Sequence, residues 1–355
     1  MRRMRLDASA IGLTVGQSPT DQSGRPLVAP GTTLNETTLE RLRAAGVQHV
    51  AVDDPAFKDL SFASMVSTET QRLAFAVFAQ VRERVKASPQ AGVPRAPFHR
   101  LAQAIIEDAQ DLPLDEASYL WPANLAQRDA IHALNRTSLA VRLVRHSGLS
   151  RYLSDVAYAA LACDLGMLLV PEELRLRDPL KPEEFEKIHG HVQAGLRFLD
   201  ASEGWSAVTR TAVSQHHERL DGTGYPQGLK GKEIHQVASL LAVCDVYTAM
   251  LLPRVDRPEL SPEEALAEVV GSAGAELDFD QVSAFNRLVP PYPVGTEVEL
   301  STGERAVVLR VPLNLKSRPV VRVFQDRDGN RIDPWSELDL SERDQQTTTV
   351  VRVIA

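Results

Sequence analysis

The sequence predicts a mainly α-helical protein, with a small α+β unit ahead of the helices and a small β appendage behind them. Three observations carry that expectation. Residues 123–288 read as one helix after another with little strand signal. Residues 1–55 mix short apolar runs with a single capped helical segment. From residue 289 onward the pattern changes to short apolar runs punctuated by Thr302-Gly303 and Asp328-Gly329, the chemistry of strands and hairpin turns.

The elements follow in order. Leu13–Val15 and Pro26–Ala29 read as short strands around the turn signal Ser23-Gly24. Asn35 is placed to cap a helix through Leu39, Leu42 and Ala45, and Gly46 to stop it. Val47–Val52 alternates as a strand. Residues 56–122 form a helical linker region. Leu73, Val77, Phe78, Val81 and Val85 recur there at helical spacing, and Ser88–Pro97, with three prolines and a glycine, reads as a loop. The all-helical segment 123–288 comes next. In the appendage, residues 289–355, strands are expected at Gly295–Leu300, Ala306–Val311, Val320–Phe324 and Thr348–Ile354.

Bulk properties exclude some functions. A formal net charge of −8 over 355 residues argues against a polymer nucleic-acid surface, which needs a basic face. It leaves room for a small anionic ligand, because a bound cation reverses the local sign. Two cysteines, Cys163 and Cys244, build no disulfide framework. The basic start Met1–Arg5 is followed by Asp7 and Ser9, unlike a signal peptide. Leu240–Leu252 contains Asp245 and is too short to span a bilayer. A cytoplasmic protein without a membrane span is the expectation; the sequence is silent on oligomeric state.

Chemistry concentrates around His216-His217, which end a helical run and precede Glu218 and Asp221-Gly222-Thr223-Gly224-Tyr225-Pro226. Neighbouring side chains on a helix diverge by roughly 100°, so two adjacent imidazoles serve one site most easily where the helix stops. The glycines and proline supply that stop.

The string His-His-Glu-x-x-Asp-Gly-x-Gly-Tyr-Pro-x-Gly-Leu, His216 to Leu229, resembles the signature of the HD-GYP family, and the resemblance extends over roughly His132–Leu288. It implies an all-helical HD-type phosphohydrolase domain and metal-dependent hydrolysis of cyclic di-GMP in bacterial second-messenger signalling. Carried over position by position, it implies His132, Asp164, His191, His216, His217 and Asp245 as metal ligands. The resemblance makes Asp164 the central catalytic carboxylate and puts Cys163, which stands where the naming pair has histidine, among the candidate metal ligands, with a buried small apolar side chain as the alternative reading. His189 is the alternative to His191 if the register differs by two. Tyr225, Arg254 and Arg257 would contact substrate. Two or more divalent transition-metal ions are implied, iron or manganese ahead of zinc. Some family members also contact diguanylate cyclase domains through the Gly-Tyr-Pro loop.

The residue types suit that chemistry. A phosphodiester transition state spreads negative charge over its non-bridging oxygens, and cations about 3.5–4 Å apart clamp those oxygens and acidify a water. A carboxylate can bridge two ions, and neutral imidazoles fill the flanking positions. The chain departs from the family at Cys163, at Met167 in place of a lysine, at Thr248 in place of a second aspartate, and in Arg254-Val255-Asp256-Arg257. Loss of the lysine is expected to slow catalysis, because removing one such stabilising group costs about 10²–10³ in rate. The alternative is a module that binds nucleotide or metal without turnover and acts through protein partners. A phosphohydrolase for another nucleotide would share the same metal site.

Overall fold

The ends of the chain form sheet and its middle forms helix. The computed structural model describes residues 2–19, 26–47, 49–54, 57, 59–60, 63–111, 117–121, 125–175, 181–252 and 259–354. Two compact units emerge: residues 1–64, 114–128 and 290–355 make one, and residues 65–113 with 129–289 make the other.

In the first unit, β1 (Arg2–Arg5), β2 (Thr14–Gln17) and β3 (His49–Asp53) form an antiparallel sheet in the order β1-β3-β2, with α1 (Glu36–Ala44) between β2 and β3 in sequence. Asn35 caps α1, its Oδ1 accepting from Thr38 N at 2.9 Å, and Gly46 ends the turn at φ 80°. The third strand differs from expectation. Leu27 and Val28 lie in a bend, whereas the basic N-terminal run pairs with β3, Met4 opposite Val50. Met4 and Leu6 are both buried with Val15, Leu39, Leu42 and Val52; that period-two apolar face is hidden in the sequence among arginines.

A two-residue parallel pair, β4 (Ala63–Ser64) and β5 (Ala117–Ser118), follows. The C-terminal sheet holds β6 (Glu297–Leu300), β7 (Arg305–Arg310), β8 (Val320–Gln325), β9 (Arg331–Asp339) and β10 (Val350–Val353), antiparallel throughout, in the order β10-β6-β7-β8-β9. Val298, Leu300, Ala306, Val308, Val321 and Val323 fill its core. β9 was not foreseen, because it contains Pro334 and mostly exposed residues; an edge strand tolerates both. Within the same unit Phe57 meets Phe324 edge-on at 5.3 Å. Arg322 forks onto Asp59 at 2.7 and 2.9 Å.

The second unit is helical. Its elements are α2 (Thr68–Ala87), α3 (Arg95–Asp111), α4 (Leu125–His146, from Asp129 on), α5 (Leu153–Ala162), α6 (Glu172–Arg175), α7 (Pro182–Asp200), α8 (Ala207–Gln215), α9 (Gln236–Met250), α10 (Pro262–Gly271) and α11 (Phe279–Leu288). The loop expected at Ser88–Pro97 is shorter than that, since α3 takes Pro97 into its first turn, where a proline costs no hydrogen bond. α5 and α9 are buried nearly all round, at Val156–Ala162 and Val237–Asp245, and so read as continuous apolar runs. Among the described residues, Ser150–Leu169 is the one helical run long and apolar enough to cross a membrane, and half of it is buried inside the protein. It is made of two 3-10 turns flanking α5.

Candidate metal centre

Five segments of the helical unit converge. α4 carries His132 and Arg136, four residues apart and so on one face. α5 ends at Ala162, and Asp164 sits in the turn beyond it. α7 carries His191. α8 ends at Gln215, which leaves His216 as its C-cap and His217 just past the helix. α9 carries Asp245 in its buried face. One close approach fixes the distance between two of these segments. The 3-10 turn Leu165–Leu169 lies so near α7 that a Cβ at Gly166 would overlap the His191 carbonyl oxygen. Only glycine allows Asp164 and His191 to share a site there.

The side chains fall into two overlapping groups. Asp164, His191, His216 and His217 offer ligand atoms within 4.8 Å of one another, and so do His132, Asp164 and Asp245. Asp164 belongs to both. Its Oδ1 lies 3.5 Å from His191 Nε2 and 3.8 Å from His216 Nε2, and its Oδ2 lies 3.4 Å from His132 Nδ1. Asp245 stands 3.5 Å from His132 Nε2 and 4.0 Å from His217 Nδ1.

These residues fit a metal ion on hydrogen-bond grounds. His191 Nδ1 sits 2.6 Å from Ile188 O and His216 Nδ1 2.8 Å from Val213 O. A carbonyl only accepts, so each Nδ1 carries the proton and each Nε2 keeps its lone pair. Those two Nε2 atoms and His132 Nε2 are buried with no hydrogen-bond partner. Three buried orphan nitrogens beside two carboxylates would be costly without an ion.

Electrostatics favour the neutral form of His191 and His217 and the charged form of Asp164. Burial, then the neighbouring His216 and His191, push His217 well below the usual imidazole range. Burial likewise lowers His191. Burial alone would raise Asp164, but Arg136 beside it, with His132 and His216, holds it well below the usual carboxylate range. Arg136 was not singled out from the sequence. It is fully buried, donates from Nη1 to Asp164 Oδ2 and, at 2.6 Å, to Asp245 Oδ1, and donates from Nε to Ala160 O at 2.9 Å. Its only sequence signal is the four-residue step from His132.

The remaining expected residues are placed as follows. Cys163 is buried, joins neither group, and lies 3.9 Å from Ala160 O, its thiol pushed up by burial. His191 joins the cluster; His189 instead stacks on Tyr225 at 3.6 Å. Tyr225 also stacks on His217 at 4.6 Å. Met167 is half-buried in the 3-10 turn after Asp164. Thr248 turns its hydroxyl back onto Cys244 O at 2.8 Å, a bond internal to α9. Arg254 and Arg257 lie outside the described residues. The loop after His217 is fixed by Glu218, also without a role assigned in advance. Its buried carboxylate accepts from Gln227 N at 2.8 Å and Leu229 N at 3.0 Å.

Comparison with known proteins agrees with this geometry. Residues 121–280 match the HD domain family, and residues 297–355 match the KOW domain associated with HD domains. The helical segment that holds the cluster is thus similar to HD domains. Similar proteins include a cyclic di-GMP phosphodiesterase of Pseudomonas aeruginosa, 33% identical over 227 residues, or 62% of this chain and 53% of that one. A cyclic di-GMP phosphodiesterase of Thermotoga maritima is 33% identical over 153 residues, 42% of each chain. A 3'3'-cGAMP-specific phosphodiesterase of Vibrio cholerae is 33% identical over 138 residues, 38% of this chain and 32% of that one. The chain spans about half the length, or less, of these relatives.

Proposed function

We propose that the chain is a metal-dependent phosphodiesterase that hydrolyses cyclic di-GMP to the linear dinucleotide or GMP. The observation that carries this reading is the set of three buried, unpartnered imidazole nitrogens facing Asp164 and Asp245. The named activity of similar proteins supports it.

His191, His216, His217 and Asp164 would hold a divalent metal, with His132 and Asp245 on the far side of Asp164. Bound there, the metal would supply Lewis-acid charge to the phosphate oxygens and acidify a water. A mixed imidazole and carboxylate set with no thiolate suits iron(II) or manganese(II) better than zinc, and Cys163 stands outside both groups.

The chain's own residues do the rest. His189 and His217 sandwich the Tyr225 ring, which fixes its hydroxyl. Burial, with Asp164 and Asp245, pushes that phenol far above its ordinary range, so it stays a donor to phosphate or base. Arg254 and Arg257, just beyond α9 in sequence, would contact phosphate or guanine.

A second reading has its own observation. Met167 takes the place of the family's lysine next to Asp164, and Pro226 and Gln227 of the Gly-Tyr-Pro loop are exposed. That arrangement suits a module that binds nucleotide and meets a partner such as a diguanylate cyclase domain. Either role belongs in the cytoplasm, where free thiols such as Cys163 and Cys244 persist.

The test is turnover of cyclic di-GMP, with 3'3'-cGAMP alongside, by anaerobically prepared protein supplied with iron(II) or manganese(II). Hydrolysis of cyclic di-GMP is expected, falling by at least about 10²-fold in His216→Ala. Tight nucleotide binding with no product would establish the second reading.

A further inference from the structure

We propose that Arg136 is a resident cation that occupies the second metal position of this centre, so that the site binds one metal ion per chain where the family resemblance implies two or more. The inference rests on the metal-site reading above and concerns how many ions that site accepts.

The two ligand groups share Asp164 but use different oxygens of it. Oδ1 faces His191 and His216, whereas Oδ2 faces His132. A second ion in the group of His132, Asp164 and Asp245 would need Asp164 Oδ2 and Asp245 Oδ1. Arg136 Nη1 already bridges those two oxygens. The contact is not an accident of a swinging side chain. Arg136 is fully buried, and its Nε is pinned by the Ala160 carbonyl at 2.9 Å, which sets the plane of the guanidinium. An arginine cannot lose its proton to make way for a competing ion. A dication entering this group would have to share both carboxylate oxygens with a fixed positive charge.

The four-residue group is unaffected by this arrangement. Asp164 Oδ1 and the unpartnered Nε2 atoms of His191 and His216 remain directed at one another, with His217 alongside. Arg136 thereby supplies charge that an ion would otherwise bring, while one true metal position is kept. It also accounts for the presence of Asp245 with a single ion bound. Arg136 needs Asp245 as its second anchor.

The experiment is metal counting. Wild-type chain, stripped and reloaded anaerobically with excess manganese(II), is passed through a desalting column and analysed for ions per chain, with electron paramagnetic resonance on the same sample. One ion per chain and an isolated, uncoupled manganese signal are expected. Arg136→Met, which keeps bulk but removes the charge, is expected to rise to two ions per chain with a spin-coupled signal. Arg136→Lys is expected to stay at one. Two coupled ions in the wild type would overturn the proposal while leaving the phosphodiesterase reading intact. No ion at all would overturn both. An unchanged single ion in a folded Arg136→Met would show that the arginine is not what excludes the second ion. Should that variant fail to fold, the wild-type count and signal decide alone.

Discussion

His191 and His216 each give Nδ1 to the carbonyl three residues back, and that local bond selects the tautomer whose Nε2 faces Asp164. Neutral imidazoles packed this tightly make the metal-free protein sensitive to acid. His191 and His217 sit below the ordinary value of 6.5 in the folded state. The unfolded chain therefore takes up protons that the folded one refuses. Their contribution is fully present above that value and is lost as pH falls below it. Chelator-treated protein should show a falling Tm between about pH 7 and pH 5, well above the range where Asp164 protonates. A flat Tm across that window would mean these rings are not held neutral. At this scale the histidine pair was legible because it belongs to a long, specific string. Arg136 was not, because one arginine a turn away from one histidine has no distinguishing pattern. Its role depends on Asp164 and Asp245 arriving from elsewhere in the chain.

The element that most shapes the site is the loop from His217 to Leu229. A Cβ at Gly224 would overlap the backbone of Glu218 and Arg219, Gly222 takes φ 85°, and Asp221 accepts from Thr223 N at 2.9 Å. Glu218 ties the far end, holding the amides of Gln227 and Leu229. Glu218→Ala strands both amides, and a lost hydrogen bond of this charged kind is worth about 1.5–3 kcal/mol. Lower thermal stability is expected, with faster amide exchange at Gln227 and Leu229; unchanged exchange there would remove Glu218 from the role of anchor. The glycines and Pro226 announced a turn in the sequence, but the long-range grip of Glu218 did not show. Strands tell the same story. β6, β7, β8 and β10 showed as apolar runs, whereas β1 hid behind arginines and β9 behind Pro334.

At the scale of the whole molecule, the apolar runs of α5 and α9 announced a helical core, and the change of pattern after residue 289 announced a sheet. What a linear reading could not show is that residues 1–64 and 290–355 belong to one compact unit, joined by pairs such as Asp59 with Arg322 and Phe57 with Phe324. Those contacts span more than two hundred residues and leave no local periodicity. The same is true of the centre, whose residues run from His132 on α4 to Asp245 on α9. The central claim is that these scattered residues form one metal site. It is tested most directly by metal analysis of anaerobically purified wild type, Asp164→Ala and His217→Ala, each checked for intact helical content. Bound transition metal in the wild type and its loss from both folded variants is the expected result. Equal metal content in all three, or none in any, would contradict the account.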